Sequence, residues 1–250
     1  MLETIKCIEL QKNQVIKDIK NATVNEQFRG LPKVCAENCT NCSECKNICP
    51  TNAIIGLGED LSIDLGKCIF CGECERVCGA DAIKFSNSHK IGSTSRDNLI
   101  INKTSWGELD PRKSTEFIKK TFGRSLKLRS VSAGGCNSCE MELGACSNAN
   151  FDMGRFGIEF VASPRHADAI VITGPITKNM AKALEDTYQA ISEPRIVILV
   201  GACAISGGIF QDSEKLNREF LEKHKIDLYI PGCPTHPLTI INAILDFLGR

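Results

Sequence analysis

Through its second half the chain alternates short apolar runs with amphipathic stretches. The runs at 126–131, 169–173, 196–200 and 228–230 read as strands, and the stretches at 178–191, 213–223 and 238–248 read as helices. Continuous apolar strands separated by helices predict an α/β domain with a parallel sheet covered on both faces. In such open sheets, ligands collect beyond the carboxyl ends of the strands. The pattern puts Cys136 and Cys139 after the first strand, Cys203 after the third and Cys233 after the fourth. Upstream, Asp110-Pro111 is a helix start, with Asp as N-cap and Pro at the first helical position. Phe117, Ile118 and Phe122 then give one apolar face, and Gly123 closes the helix. Residues 86–109, rich in Ser, Asn, Lys and Gly without periodicity, read as a linker or surface arm.

The first half is organised by cysteine. Of the 15 cysteines in the chain, eight form two equal sets, Cys39-x2-Cys42-x2-Cys45-x3-Cys49-Pro50 and Cys68-x2-Cys71-x2-Cys74-x3-Cys78-Gly79. The sets repeat with a period of about 29 residues, and the likeness extends to Asn52-Ala53-Ile54 and Asp81-Ala82-Ile83 downstream. Three thiols at three-residue intervals can wrap one face of an iron–sulfur cubane, while the trailing cysteine ligates the neighbouring cluster. The spacing is that of the bacterial two-cluster ferredoxin run. It assigns Cys39, Cys42, Cys45 and Cys78 to one 4Fe–4S cluster and Cys68, Cys71, Cys74 and Cys49 to the other. Structural zinc sites more usually combine two Cys-x2-Cys pairs. Gly79 stands where proline usually follows the last cysteine, which changes the turn and not the ligand set. Cys7 and Cys35 lie outside the repeat and receive no role.

Composition narrows the setting. With 30 basic and 30 acidic side chains the net charge is +0, which argues against nucleic acid or an anionic membrane as the main partner. The N-terminal stretch mixes Lys, Glu, Gln and Asn with scattered Ile and Val, unlike a secretory or twin-arginine signal. The longest apolar runs fall short of the ~20 residues that a spanning helix needs. A chain soluble by itself in a reducing compartment is expected, where clustered cysteines bind metal and do not form disulfides.

A second metal site is expected at the sheet edge. Cys136 and Cys139 lie on a glycine-rich turn, Cys203 sits in GACAISGG and Cys233 in PGCP. Glycine within two residues of Cys136, Cys203 and Cys233 lets backbone approach a bulky cofactor and supplies N–H groups to its sulfurs. On these grounds alone zinc remains open. The stretches CNSCEME, RFGIEFVASPRHADAIVITGP, GACAISGGIF and PGCP also resemble the small, electron-transferring subunit of nickel–iron hydrogenases and the homologous subunit of respiratory complex I, most closely the energy-converting, formate-hydrogenlyase group. The resemblance covers residues 126–250. It implies a flavodoxin-like parallel-sheet domain and one 4Fe–4S cluster held by Cys136, Cys139, Cys203 and Cys233. The complex I branch uses adjacent cysteines in the first pair, so the two-residue spacing here favours the hydrogenase branch. Cys146 matches no family ligand and reads as a packed thiol. Glu142, beside the site, is a candidate proton relay, with Glu140 a weaker one. His166 and His236 read as structural contacts.

The organisation expected is an N-terminal segment (1–34), a two-cluster α+β ferredoxin domain (35–86), a linker and helix (87–125) and the α/β domain (126–250). The resemblance implies three 4Fe–4S clusters passing electrons between a ferredoxin or formate dehydrogenase-type donor and the nickel–iron site of a partner large subunit. Membrane subunits of the same complex, and a peripheral position on the cytoplasmic face, are expected with it. Two alternatives stand beside this reading: a nickel-free respiratory or ion-pumping relative, and a stand-alone ferredoxin with a metal-dependent regulatory domain.

Overall fold

The computed structural model describes residues 2–12, 14–104 and 116–250. The first half holds helix α1 (Leu2–Gln11), strand β1 (Pro32–Val34), helix α2 (Glu44–Ile48), strands β2 (Ile54–Ile55) and β3 (Ser62–Asp64), helix α3 (Glu73–Val77), and strands β4 (Ile83–Phe85) and β5 (Ile100–Ile101). Strand β1 pairs antiparallel with β4, and β3 pairs antiparallel with both β2 and β5. The sequence repeat is also a backbone repeat. Positive φ occurs at Asn41, Ser43 and Asn52, and again at their counterparts Phe70, Gly72 and Asp81. Two matching loops therefore turn the same way before two matching five-residue helices, α2 and α3.

The second half opens with α4 (Glu116–Phe122) and continues with β6 (Leu126–Ser132), α5 (Ser138–Ala145), β7 (Ile158–Phe160), β8 (Ala169–Thr173), α6 (Lys178–Ala190), β9 (Ile196–Val200), α7 (Ala202–Ser206), α8 (Glu219–Lys223), β10 (Leu228–Ile230) and α9 (Pro237–Phe247). Five strands form one parallel sheet in the order β10-β9-β8-β6-β7. Counted along this half, that is the flavodoxin-like order 2-1-3-4-5, whose switch point lies between β6 and β8. All five residues of β8 and of β9 are buried, because both faces of the sheet are covered. Ile170, Ile172, Val197 and Leu199 pack in one apolar layer with Leu184 of α6 and Phe220 of α8. Val171, Ile196, Ile198 and Val200 pack in the other with Leu238, Ile241 and Ile244 of α9. Each such side chain contributes about 1.5–3 kcal/mol relative to exposure.

Several elements depart from the sequence pattern. The helix expected over 213–223 is confined to Glu219–Lys223. Leu216 instead bridges Thr177, Lys178 N–H donates to the Lys215 carbonyl and Asn217 N–H to that of Ile176, so the segment before α8 is held by the loop after β8. Strand β7 had too short an apolar run to register. The stretch 86–109 is partly core: Ile91, Leu99 and Ile101 are buried, and Ile101 pairs with Ile63. The N-cap at Asp110-Pro111 lies outside the described residues. On α4, Phe122 is buried but Phe117 is exposed. Among the described residues, no helix is long and apolar enough to cross a membrane.

Candidate metal centres

The fold gathers the twelve predicted ligands into three groups of four. A cavity of about 310 Å³ is lined by Cys39, Cys42, Cys45 and Cys78. A second, of about 20 Å³, is lined by Cys49, Cys68, Cys71 and Cys74. Each of these groups takes its fourth cysteine from the other half of the repeat. The trailing cysteines are anchored alike: Ala53 N–H donates to Cys49 Sγ (3.2 Å) and Ala82 N–H to Cys78 Sγ (3.3 Å). Gly58 N–H reaches Cys39 Sγ at 3.2 Å and Phe70 N–H reaches Cys68 Sγ at 3.3 Å. Such donors stabilise anionic sulfur.

The third group lies at the carboxyl ends of the sheet strands. Cys136 precedes α5 on a turn with Gly134 and Asn137 at positive φ, Cys139 rides the first turn of α5, Cys203 lies in α7 directly after β9, and Cys233 follows β10. Gly201 N–H donates to the Ile230 carbonyl and Ala202 N–H to that of Gly232, tying the loops after β9 and β10 together. Two glycines leave room for sulfur alone. A Cβ on Gly201 would stand 2.7 Å from Cys139 Sγ, and one on Gly208 would stand 2.9 Å from Cys203 Sγ.

Buried sulfur resists ionisation, and the cysteines raise one another. Burial pushes the Cys68, Cys74 and Cys139 thiols up to about 12, and Cys203 to about 11. Cys45 is raised by burial, then by Cys39, Cys78 and Cys42. Cys136 is lowered instead, chiefly by its hydrogen bond with the Ser138 hydroxyl. Four thiolates crowded this way need a polycationic centre to hold them ionised, which is what an iron–sulfur core provides. Among the described residues, no three or more His, Cys, Asp or Glu converge as ligands of a metal ion. The donor set, the N–H···S bonds and the glycine cradle fit 4Fe–4S clusters.

Arg218 was invisible to sequence reasoning, because a lone arginine carries no spacing signal. Its guanidinium donates to the carbonyls of Pro175, Cys203, Ala204 and Ile205 (3.0, 3.2, 2.8 and 2.9 Å), gripping the end of α7 and setting a positive charge beside Cys203. Glu140 acts as a hydrogen-bond acceptor. Its carboxylate accepts from the Thr173 hydroxyl at 2.6 Å, and the bonds from Ser132 and Thr173 outweigh its burial to hold it below the usual range. Glu142 is raised by burial alone. Cys146 is fully buried, bonds to the Glu142 carbonyl and is pushed up to about 12 by burial, as a packed thiol would be. His236 caps α9, its Nδ1 accepting from Leu238 N–H. Cys7 is exposed and Cys35 partly so. Neither lines the two N-terminal cavities.

Residues 136–247 match the family described as NADH ubiquinone oxidoreductase, 20 Kd subunit, and residues 61–84 match the 4Fe–4S binding domain family. The second match covers one of the two N-terminal cysteine sets. A probable membrane-bound hydrogenase subunit mbhJ of Pyrococcus furiosus is 36% identical over 52% of this chain and 78% of its own. Formate hydrogenlyase subunit 7 of Escherichia coli is 40% identical over 53% of this chain and 52% of its own. An NADH-quinone oxidoreductase subunit of Geotalea daltonii is 41% identical over 46% of this chain and 69% of its own.

Proposed function

The chain belongs to the family of the 20 kDa subunit of NADH–ubiquinone oxidoreductase, and from that membership we propose that it is the electron-transfer subunit of a multisubunit nickel–iron hydrogenase. At the coarser level it is an oxidoreductase-complex subunit carrying a 4Fe–4S binding domain. The observation that carries the finer reading is the third cysteine group, with two residues between Cys136 and Cys139. That spacing is the one favoured by the hydrogenase branch of the resemblance.

Three 4Fe–4S clusters, when bound, supply one-electron donor and acceptor sites. Cys39, Cys42, Cys45 and Cys78 hold one, Cys68, Cys71, Cys74 and Cys49 the second, and Cys136, Cys139, Cys203 and Cys233 the third. The loops around the third group keep it at the surface, where Cys136 and Cys233 are exposed. Met141, Ile209 and Phe210, close in sequence to Cys139 and Cys203, present apolar side chains to solvent. This surface suits docking of a partner large subunit that carries the nickel–iron site. Arg218 offsets charge at Cys203, and Glu142, three residues after Cys139, is the proton relay of this reading. Electrons enter from ferredoxin or a formate dehydrogenase-type donor, and the complex sits with its membrane subunits on the cytoplasmic face. The relationship to NADH-quinone oxidoreductase subunits supports one second reading, a nickel-free relative.

The deciding experiment isolates the chain with its native partners and assays nickel together with hydrogen-dependent dye reduction. Nickel with hydrogen-dependent activity upholds the hydrogenase. Absence of both, in a complex with full iron content, replaces it with the nickel-free complex.

A further inference from the structure

We propose that residues 91–101 are a rigid clasp that fixes the spacing between the second and third cysteine groups, and that Arg96 is its positioning residue. The inference rests on reading those groups as cluster ligands, and not on the identity of the catalytic partner.

The segment is fastened at both ends. On the side of the α/β domain, Ser93 forms an antiparallel bridge with Tyr229, donating and accepting main-chain bonds of 2.9 and 2.8 Å. The bridge adds backbone to β10, an edge strand of the five-stranded sheet, and so covers unpaired amide and carbonyl groups. Gly92 lies so close to α9 that a Cβ on it would stand 2.4 Å from that of Ala243. On the N-terminal side, Ile101 pairs with Ile63, and Leu65 N–H donates to the Leu99 carbonyl at 2.8 Å. Ser93, Leu99 and Ile101 are each fully buried.

Arg96 sits between these fastenings. Its Nη2 donates to Asp64 Oδ2 at 2.6 Å, and the other oxygen of Asp64 accepts from Gly66 N–H at 2.9 Å. Asp64 is buried, so it depends on this cation. Asp64 also organises the entry to the second group, its carbonyl accepting from the N–H of Lys67 and Cys68. A Cβ on Gly66 would stand 2.7 Å from Arg96 Cζ and 2.8 Å from Ile205 Cγ2. Gly66 is two residues before Cys68, and Ile205 two residues after Cys203. Arg96, Gly66 and Ile205 thus meet where the loop bearing one group touches the helix bearing the other. A second contact crosses nearby, from Gln211 Nε2 to the Thr51 carbonyl at 3.4 Å.

Transfer between the groups moves one electron, oxidising one cluster and reducing the other, with no bond made and no proton moved. Its rate falls exponentially with distance, so a loose hinge at 91–101 would spread it over many values. The clasp removes that spread.

The test uses the full-length chain loaded with iron and sulfide under anaerobic conditions, comparing the parent with Arg96→Met, Arg96→Lys and Gly66→Val. Iron content and pulsed-EPR spin–spin coupling between the reduced second and third clusters are measured. Arg96→Met and Gly66→Val are expected to keep about twelve iron atoms and each cluster's own spectrum, but to lose the resolved coupling. Arg96→Lys, which retains a cation beside Asp64, is expected to keep it. Resolved coupling unchanged in both Arg96→Met and Gly66→Val at full iron overturns the clasp. A parent that takes up only about eight iron atoms overturns the three-cluster reading, and the clasp with it.

Discussion

Cys71 lies close enough to Cys233 to help raise its pKa, although one belongs to the N-terminal repeat and the other follows the last sheet strand. Burial is the largest cause of the raised Cys233 pKa, followed by Cys136 and then Cys71. The second cysteine group is therefore turned toward the third, as the Gln211–Thr51 contact between the same regions also shows. This arrangement makes the consequences of single substitutions separable.

Cys233→Ser removes a ligand from the third group while leaving both N-terminal groups intact. Iron content is expected to drop from about twelve atoms per chain to about eight, with the N-terminal EPR signals retained. Cys146→Ala is the control. It deletes a buried thiol outside the three groups and is expected to keep all the iron, at a cost of about 1–2 kcal/mol in stability.

Gly208→Ala tests the cradle. The added Cβ would stand 2.9 Å from Cys203 Sγ, at a residue whose φ is +55°. Loss or weakening of the third cluster is expected, read as reduced iron and a changed potential in a redox titration, together with about 1–3 kcal/mol of backbone strain. An unaltered third cluster would show that Cys203 does not need this clearance.

Glu142→Gln carries a pH signature. Burial raises the Glu142 carboxyl, so its folded pKa lies above its unfolded one. Below the unfolded value both states are protonated and burial costs nothing through ionisation. As pH rises through the window up to the folded value, the unfolded state releases its proton more readily and stability is lost. The glutamine variant escapes this loss. Its thermal midpoint is expected to gain on the parent as pH rises through that window, measured anaerobically. In the intact complex, slower hydrogen-dependent turnover in the same variant would support the proton-relay role, whereas unchanged turnover would remove it.

Much of the architecture was legible in the chain. The doubled cysteine spacing and its matching tails announced a repeat, and the apolar runs at 169–173, 196–200 and 228–230 coincide with β8, β9 and β10. Both are local signals, since ligand spacing and strand burial are written in neighbouring residues. Less was legible where long-range contacts override local preference. Residues 213–218 have helical composition, yet Asn217 N–H bonds to the Ile176 carbonyl and Leu216 bridges Thr177 in the loop after β8. Strand β7 is three residues long and becomes a strand only by pairing with β6.

Sequence by itself determined that the N-terminal cysteines fall into two equivalent sets, because the same spacing and tail recur, and it determined the class of sheet, because burial on both faces demands continuous apolar strands. Tertiary structure alone decided how the halves are joined. The polar stretch 86–109 carries no periodicity, and its buried anchors Ile91, Leu99 and Ile101 are scattered among Ser, Asn and Lys. The partners that make it a clasp, Tyr229, Asp64 and Ala243, come from elements far away in the chain, and no local pattern encodes a contact between residues that only the completed fold brings together.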